Sequence, residues 1–370
     1  ICMKRFVLFF LCSVFIISIL NGFFIFRISN LNFDHILAEE GEEIAQTTEE
    51  KQSVEVQHFF THELIYSPEK AFSTKNSLRN SFDRDHLTCT EFKNILNALY
   101  ENNFVLVDLY AVYEEKDAKL VVKEGLNFEG KKPFVLSFDD LTYDTKNRGI
   151  VEKIVARNGK LYDFASVEEE QYTQERDCLT ILEGFIEEHP DFSFNNARAT
   201  LCVTGYNGAF GYRVFSDTYL SGEELEREEE SLKNLITFLK EKGYRFASHS
   251  YGHINTLFSS YETFCKDVEK WKNEIGSYVG ETEIYCYPGG AHKCGTSNNE
   301  FLKSNGFKVF LCTGNMMTTS EMEDQATYLY RHPLDGKSLR NCEVEYENFF
   351  NTKDVYDPER QVSFNFKENY

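Results

Sequence analysis

Two adjacent carboxylates, Asp139 and Asp140, follow the apolar run Phe134-Val135-Leu136, where a strand should end. Further along, "HSYGH" places His249 and His253 after the run Tyr244–Ala247. A spacing of four puts both imidazoles on one face if the segment makes a helical turn. Two imidazoles and one carboxylate are a sufficient protein set for a divalent metal with an open fourth position. An ion held that way lowers the pKa of water enough to supply a nucleophile at neutral pH. A second carboxylate beside it can take the proton as general base. The Asp pair would then divide into one ligand and one base. Consecutive strand residues point to opposite faces, so both can serve only if the chain leaves extended geometry at 139–140.

Other polar groups also stand at the ends of apolar runs. His62 follows Val54–Phe60, Pro288-Gly289-Gly290 follow Ile284–Tyr287, and Arg331-His332 follow Tyr328–Tyr330. Taken singly these are weak signals. A His-x-x-x-His is more often a pair of surface or core histidines, and a Tyr-Pro-Gly-Gly is usually a turn. In parallel α/β architectures, however, the C-terminal strand ends share one face and sites are built there. The groups are therefore expected to converge.

The elements that would position them repeat a pattern of short apolar run, turn and amphipathic helix. Besides the runs above, Phe104–Val107, Ala199–Val203 and Phe307–Cys312 read as strands. Thr88 with Glu91 forms a capping box ahead of the stripe Phe92, Ile95, Leu96, Leu99. Ser221 with Glu224 repeats the device, and Gly243 is expected to stop that helix in a left-handed conformation. Strand–helix alternation implies parallel strands with helices outside. Seven to eight strands favour a closed or nearly closed (β/α) barrel over an open sheet. Residues 141–198 read as an insertion with a helical stretch over Val167–Glu188, and the polar segment 341–370 as a peripheral tail.

The N-terminal residues differ in kind. Met3-Lys4-Arg5 precedes a near-continuous apolar run from Phe6 to Ile28. A run of about 20 apolar residues spans a bilayer, and the flanking charge predicts a cytoplasmic N-terminus. Segment 1–29 thus reads as a transmembrane anchor, with a cleaved secretory signal as the rival. Residues 30–53, rich in Glu, read as a solvated stalk, and 54–340 as the main domain. The expected place is the cell membrane, single-pass with an extracellular catalytic domain. Of ten cysteines, eight lie beyond the apolar segment with no Cys-x-x-Cys pair, which favours free thiols over a disulfide framework. A net charge of −21 argues against nucleic acid as partner. It suits a neutral or cationic partner. Nothing in the sequence sets the oligomeric state.

"FVLSFDD", "SHSYGH" and "YCYPGG", in this order, resemble the polysaccharide deacetylase family (NodB homology domain, carbohydrate esterase family 4). The third motif is similar to the exopolysaccharide deacetylase subset with Tyr-Pro-x-Gly, and "FFTHELI" resembles the segment that often opens the domain. The resemblance implies an irregular (β/α) barrel and a divalent metal, Zn²⁺ first, with Co²⁺ or another ion as alternatives. It implies removal of acetyl groups from an N-acetylglucosamine polymer, peptidoglycan or exopolysaccharide. Carried over, Asp139 is the base, and Asp140, His249 and His253 are the ligands. Tyr287-Pro288-Gly289 form the substrate and oxyanion segment, with the donor on the Gly289 N–H. Leu141 stands where relatives have Gly, and the third motif lacks its Arg. Arg331 is therefore expected to orient Asp139. The general acid is expected to be His62, with His332 as the alternative. An O-acetyl esterase on xylan or another wall polymer keeps the fold and changes the leaving group. A surface carbohydrate-binding protein without catalysis is the reading from another class.

Overall fold

The computed structural model describes residues 54–117, 119–143, 146–166, 171–216, 218–313, 321–323 and 326–360. The expected anchor (1–29) and stalk (30–53) lie outside the described residues. Among the described residues, no helix is long and apolar enough to cross a membrane.

Seven of the eight expected strands close into one parallel ring. They are β1 (Gln57–Thr61), β2 (Lys132–Asp140), β3 (Thr200–Val203), β4 (Arg245–Ser248), β5 (Ile284–Cys286), β6 (Val309–Thr313) and β7 (Ala326–Pro333). Neighbours run β1-β7-β6-β5-β4-β3-β2, and pairing of β1 with β2 completes the circle. The eighth, Phe104–Leu106, pairs with the start of β2, its Phe104 opposite Lys132, and stays outside the ring.

Alternation along the strands sorts the side chains. Val135, Cys202, Ala247, Cys286, Leu311 and Leu329 come from six different strands yet meet in one cluster. Only the barrel lumen lets them do so. Their sequence neighbours face outward into the helix layer, where Phe134, Leu136, Leu201 and Val203 pack with helical residues.

The helices follow the end signals in most cases. In α1 (Cys89–Glu101) the capping box is present in both directions, Glu91 N to Thr88 Oγ1 at 3.1 Å and Thr88 N to Glu91 Oε2 at 2.8 Å. The other described helices of eight residues or more are α2 (Cys178–Glu188), α3 (Gly222–Lys242), α4 (Tyr261–Glu274) and α5 (Ser297–Ser304). Helix α3 buries Leu232, Leu235, Ile236 and Leu239 and ends on Gly243 at φ 98°. Ser221, however, makes no side-chain cap, because Gly222 at φ 57° begins the helix outside helical geometry.

Two regions differ from the sequence reading. Of the helix expected over Val167–Glu188, 167–170 lie outside the described residues, 171–177 are not helical, and the helix begins at Cys178. Ahead of it lies an antiparallel sheet of Lys153–Arg157, Lys160–Phe164 and Tyr172–Thr173. Its hairpin turns on Asn158-Gly159 at φ 51° and 76°, the dipeptide that such two-residue turns select. The segment expected as a peripheral tail is also different over 341–360. Tyr346, Phe349, Phe350 and Val355 are buried in the core, and Phe349 packs 5.1 Å from Phe59 of β1. Arg360 is 1% exposed and bonds both Glu91 oxygens at 2.8 and 2.6 Å, Asp83 Oδ1 at 3.1 Å and His86 O at 2.7 Å. These partners lie far back in the chain, so the polar composition of the segment concealed its role.

Candidate active site

The Asp pair sits at the C-terminal end of β2. Asp139 stays in strand register opposite Cys202 and is 2% exposed. At Asp140 the chain turns to φ 69°, and Leu141 follows at φ 52°. This is the departure from extended geometry that the pair requires, and it lets neighbouring carboxylates serve one site. An L residue pays for such geometry, which suits the Gly expected in place of Leu141. Here full burial and Phe210 N, donating to Leu141 O at 2.7 Å, hold it.

Arg331, near the end of β7, points into the lumen and donates to both oxygens of Asp139, at 2.7 and 2.9 Å. Both side chains are almost wholly buried. Burial pushes the Asp139 carboxyl up, but the Arg331 guanidinium, with help from His249, outweighs it and holds the group well below the usual carboxylate range. Arg331 also donates to Ser137 Oγ at 2.9 Å and to the Cys286 sulfur at 3.0 Å.

His249 and His253 both face Asp140. Their Nε2 atoms lie 3.6 and 3.4 Å from Asp140 Oδ1. No helical turn joins them: residues 249–253 form a loop with Ser250 at φ 61° and His253 at φ 51°. Asp267 on α4 shapes that loop, accepting from Ser250 Oγ at 2.7 Å, Tyr251 N at 2.9 Å and Gly252 N at 2.7 Å. Cys286 O lies 3.0 Å from His249 Nδ1, so Nδ1 carries the proton and Nε2 offers its lone pair. Asp140 Oδ1 is buried without a hydrogen-bond partner among the described residues. Donor atoms at about 2.0–2.1 Å from a tetrahedral ion stand roughly 3.3 Å apart, close to the spacing found. The three residues fit a divalent cation. Burial would lower the His249 pKa, yet Cys286, Asp139 and Asp140 raise it to about 10, which marks how negative this cradle is.

His62 lies at the rim beyond β1, its Nδ1 2.8 Å from Asp85 O. Burial lowers its pKa, but the nearby Asp140 and Asp139 charges more than offset that and raise it. His332 is not brought to this site. One residue after Arg331, it faces out of the ring, with Phe59 at 5.4 Å and Phe349 at 5.3 Å and its Nε2 3.1 Å from Gln57 Oε1. Burial lowers its pKa to about 4. Tyr287 is buried outside the ring with its hydroxyl on Asn299. Pro288 and Gly289 turn over the strand end, with Gly289 exposed at φ 62°.

The sequence model of the polysaccharide deacetylase family matches residues 192–310. Over that stretch the chain is similar to polysaccharide deacetylases. The matched stretch includes His249, His253 and the Tyr287-Pro288-Gly289 turn. Among curated proteins, none matches the chain. Solved structures do. The Streptococcus pyogenes deacetylase PplD, in complex with acetate, is 14% identical over 78% of this chain and 96% of its own, with a TM-score of 0.40. IcaB from Ammonifex degensii is 12% identical over 80% of this chain and 97% of its own, at 0.45. The BpsB deacetylase domain from Bordetella bronchiseptica is 12% identical over 63% and 96%, at 0.31. Asp139, Asp140, His62 and Arg331 lie outside the matched stretch, so their place in the site rests on the geometry above.

Three contributors were missed from sequence. Ser137 and Cys286 both touch Arg331, and inward parity on β2 and β5 was the available signal. Asp267, seventeen residues from the Ser250 it holds, gave none.

Proposed function

We propose that this protein is a metal-dependent deacetylase that hydrolyses N-acetyl groups of an extracellular polysaccharide containing N-acetylglucosamine, peptidoglycan or exopolysaccharide. The observation that carries the reading is the separation of duties within the Asp pair. Asp139 is locked by Arg331, while Asp140 turns to the two imidazoles.

Asp140, His249 and His253 would hold the ion, and two imidazoles with one carboxylate suit Zn²⁺. When bound, it would acidify water and polarise the acetyl carbonyl. Asp139 takes a proton from the attacking water as its oxygen bonds to the carbonyl carbon. Arg331 uses one lone pair on each Asp139 oxygen and the Cys286 thiol donates to Oδ2 at 3.5 Å, which leaves the second lone pair of Oδ1 available. His62, with Nδ1 tied to Asp85 O, presents Nε2 to the leaving nitrogen. It delivers the proton that lets the C–N bond break into acetate and an amine. The Gly289 N–H at the rim is a donor for the developing oxyanion, a type of contact worth about 2.7–4 kcal/mol in barrier. The apolar run ahead of an acidic segment in 1–53 supports placing the domain outside the cell membrane.

The test is acetate release from N-acetylglucosamine oligomers and from acetylated xylan, with added Zn²⁺ or Co²⁺, beside Asp139→Asn. Metal-dependent acetate from the amino sugar, absent in the variant, is the expected result. Release from xylan alone would move the assignment to an O-acetyl esterase. A bound metal with no release from either substrate would favour carbohydrate binding without catalysis.

A further inference from the structure

Glu63 stands two residues past the end of β1 and is 3% exposed. A carboxylate buried so far needs hydrogen-bond donors, and the donors it has found show what it holds. Strands β1 and β2 run parallel with Thr61 opposite Phe138, so the residues that follow them emerge side by side. Glu63 reaches across that gap. Its Oε1 accepts from Thr142 N at 2.7 Å, Tyr143 N at 3.2 Å and Thr142 Oγ1 at 3.3 Å.

The segment it grips is strained. Asp140, Leu141 and Tyr143 stand at φ 69°, 52° and 66°, left-handed positions in a stretch that holds no glycine. Such a backbone persists only where its surroundings over-determine it. Leu141 has its own ties, through its N–H to Asp139 O at 3.0 Å and its carbonyl to Phe210 N at 2.7 Å. The N–H groups of 142 and 143 have Glu63. Were the turn to relax toward extended geometry, the Asp140 carboxylate would swing away from His249 and His253, which it faces at 3.6 and 3.4 Å.

The backbone of Glu63 is tied as well. His86 Nδ1 lies 2.8 Å from Glu63 O, and His62 Nδ1 lies 2.8 Å from Asp85 O. Segments 62–63 and 85–86 thus hold each other by two exchanged ring-to-carbonyl bonds. One residue therefore joins the loop of the acid His62 to the turn of the ligand Asp140. Glu63 is not itself a ligand: the donor atoms close enough to share an ion here are those of Asp140, His249 and His253. Its own three donors are neutral and meet a single oxygen, so an amide carbonyl would serve them equally.

We propose that Glu63 is a positioning residue. Acting as a hydrogen-bond acceptor rather than as a charge, it holds the left-handed 140–143 turn and so aims Asp140 at the two imidazoles. This rests on the reading of Asp140 as a metal ligand.

Three variants separate the acceptor from the charge. Glu63→Gln keeps an oxygen at the same reach and removes the charge. Glu63→Asp keeps the charge and draws the oxygens back by one methylene. Glu63→Met keeps the length and has no oxygen. Circular dichroism checks the fold of each. Titration of the metal-free protein with Co²⁺, followed by the visible bands of the bound ion, reads affinity and coordination geometry without turnover. Glu63→Asp and Glu63→Met should bind Co²⁺ about 10–100-fold more weakly, as for a lost contact behind a ligand, with altered bands. Glu63→Gln should keep the wild-type bands and affinity. At saturating metal, kcat on N-acetylglucosamine oligomers should fall in the first two with KM little changed, and recover in Glu63→Gln. Weakened binding in Glu63→Gln overturns the inference, because the charge would then be what matters. Wild-type binding in Glu63→Asp or Glu63→Met overturns it too. A wild type that binds Co²⁺ but releases no acetate would sink the deacetylase reading and leave the inference to the metal titration. A wild type that binds no Co²⁺ would sink both.

Discussion

Replacing Arg331 by Met tests whether the base is held by a buried ion pair or merely lies near one. Arg331 and Asp139 are 2% and 3% exposed and share two hydrogen bonds, so solvent screens almost nothing. Removing one partner of such a pair leaves an uncompensated buried charge and costs about 3–5 kcal/mol. The pH dependence has a definite sign. In the wild type, Asp139 titrates below its unfolded value. Its contribution is therefore present above about pH 3.9 and lost as pH falls through the folded pKa. In Arg331→Met, burial acts without the guanidinium and the Asp139 pKa rises above the unfolded value. The deficit should then be largest near neutrality and shrink as pH falls through that raised pKa. Urea denaturation of metal-free wild type, Arg331→Met, Asp139→Asn and the double variant closes a thermodynamic cycle. A coupling energy of about 3 kcal/mol or more is expected. A coupling under about 1 kcal/mol, the range of exposed pairs, would refute the reasoning, as would a deficit that grows on acidification.

Three further outcomes follow from the same geometry. His62→Gln should lower kcat by about 10²–10⁴ while one zinc stays bound, and His332→Gln should leave kcat within about twofold. Because the neighbouring carboxylates raise the His62 pKa, wild-type activity should fall as pH rises through it, and that limb should be absent in His62→Gln. Asp140→Asn and His253→Ala should each leave less than one zinc per chain after dialysis, read by metal analysis, with circular dichroism unchanged. Arg360→Met should cost about 3–5 kcal/mol in denaturation, because it removes the only guanidinium on the buried Glu91 carboxylate among the described residues, while Asp83 keeps Arg340. A loss under about 1 kcal/mol would show that the C-terminal segment is dispensable.

The sequence by itself determined the strand–helix alternation, the capping box at Thr88 and the placing of polar groups at strand ends. These are readable because each depends on residues a few positions apart, within the periods of helix and strand. The Asn158-Gly159 hairpin was equally local and equally available. Tertiary structure alone decided the rest. Arg331 and His332 are consecutive, and no local pattern says which faces the lumen; the register of β7 between β6 and β1 sets it. The metal-facing pose of His249 and His253 comes from a loop shaped by Asp267 and from Cys286 O, not from a helical repeat. The anchoring of 341–360 depends on Arg360 meeting Glu91, across 269 residues of chain. Barrel closure brings such partners together, and a one-dimensional pattern has no term for distances created only when the ring closes.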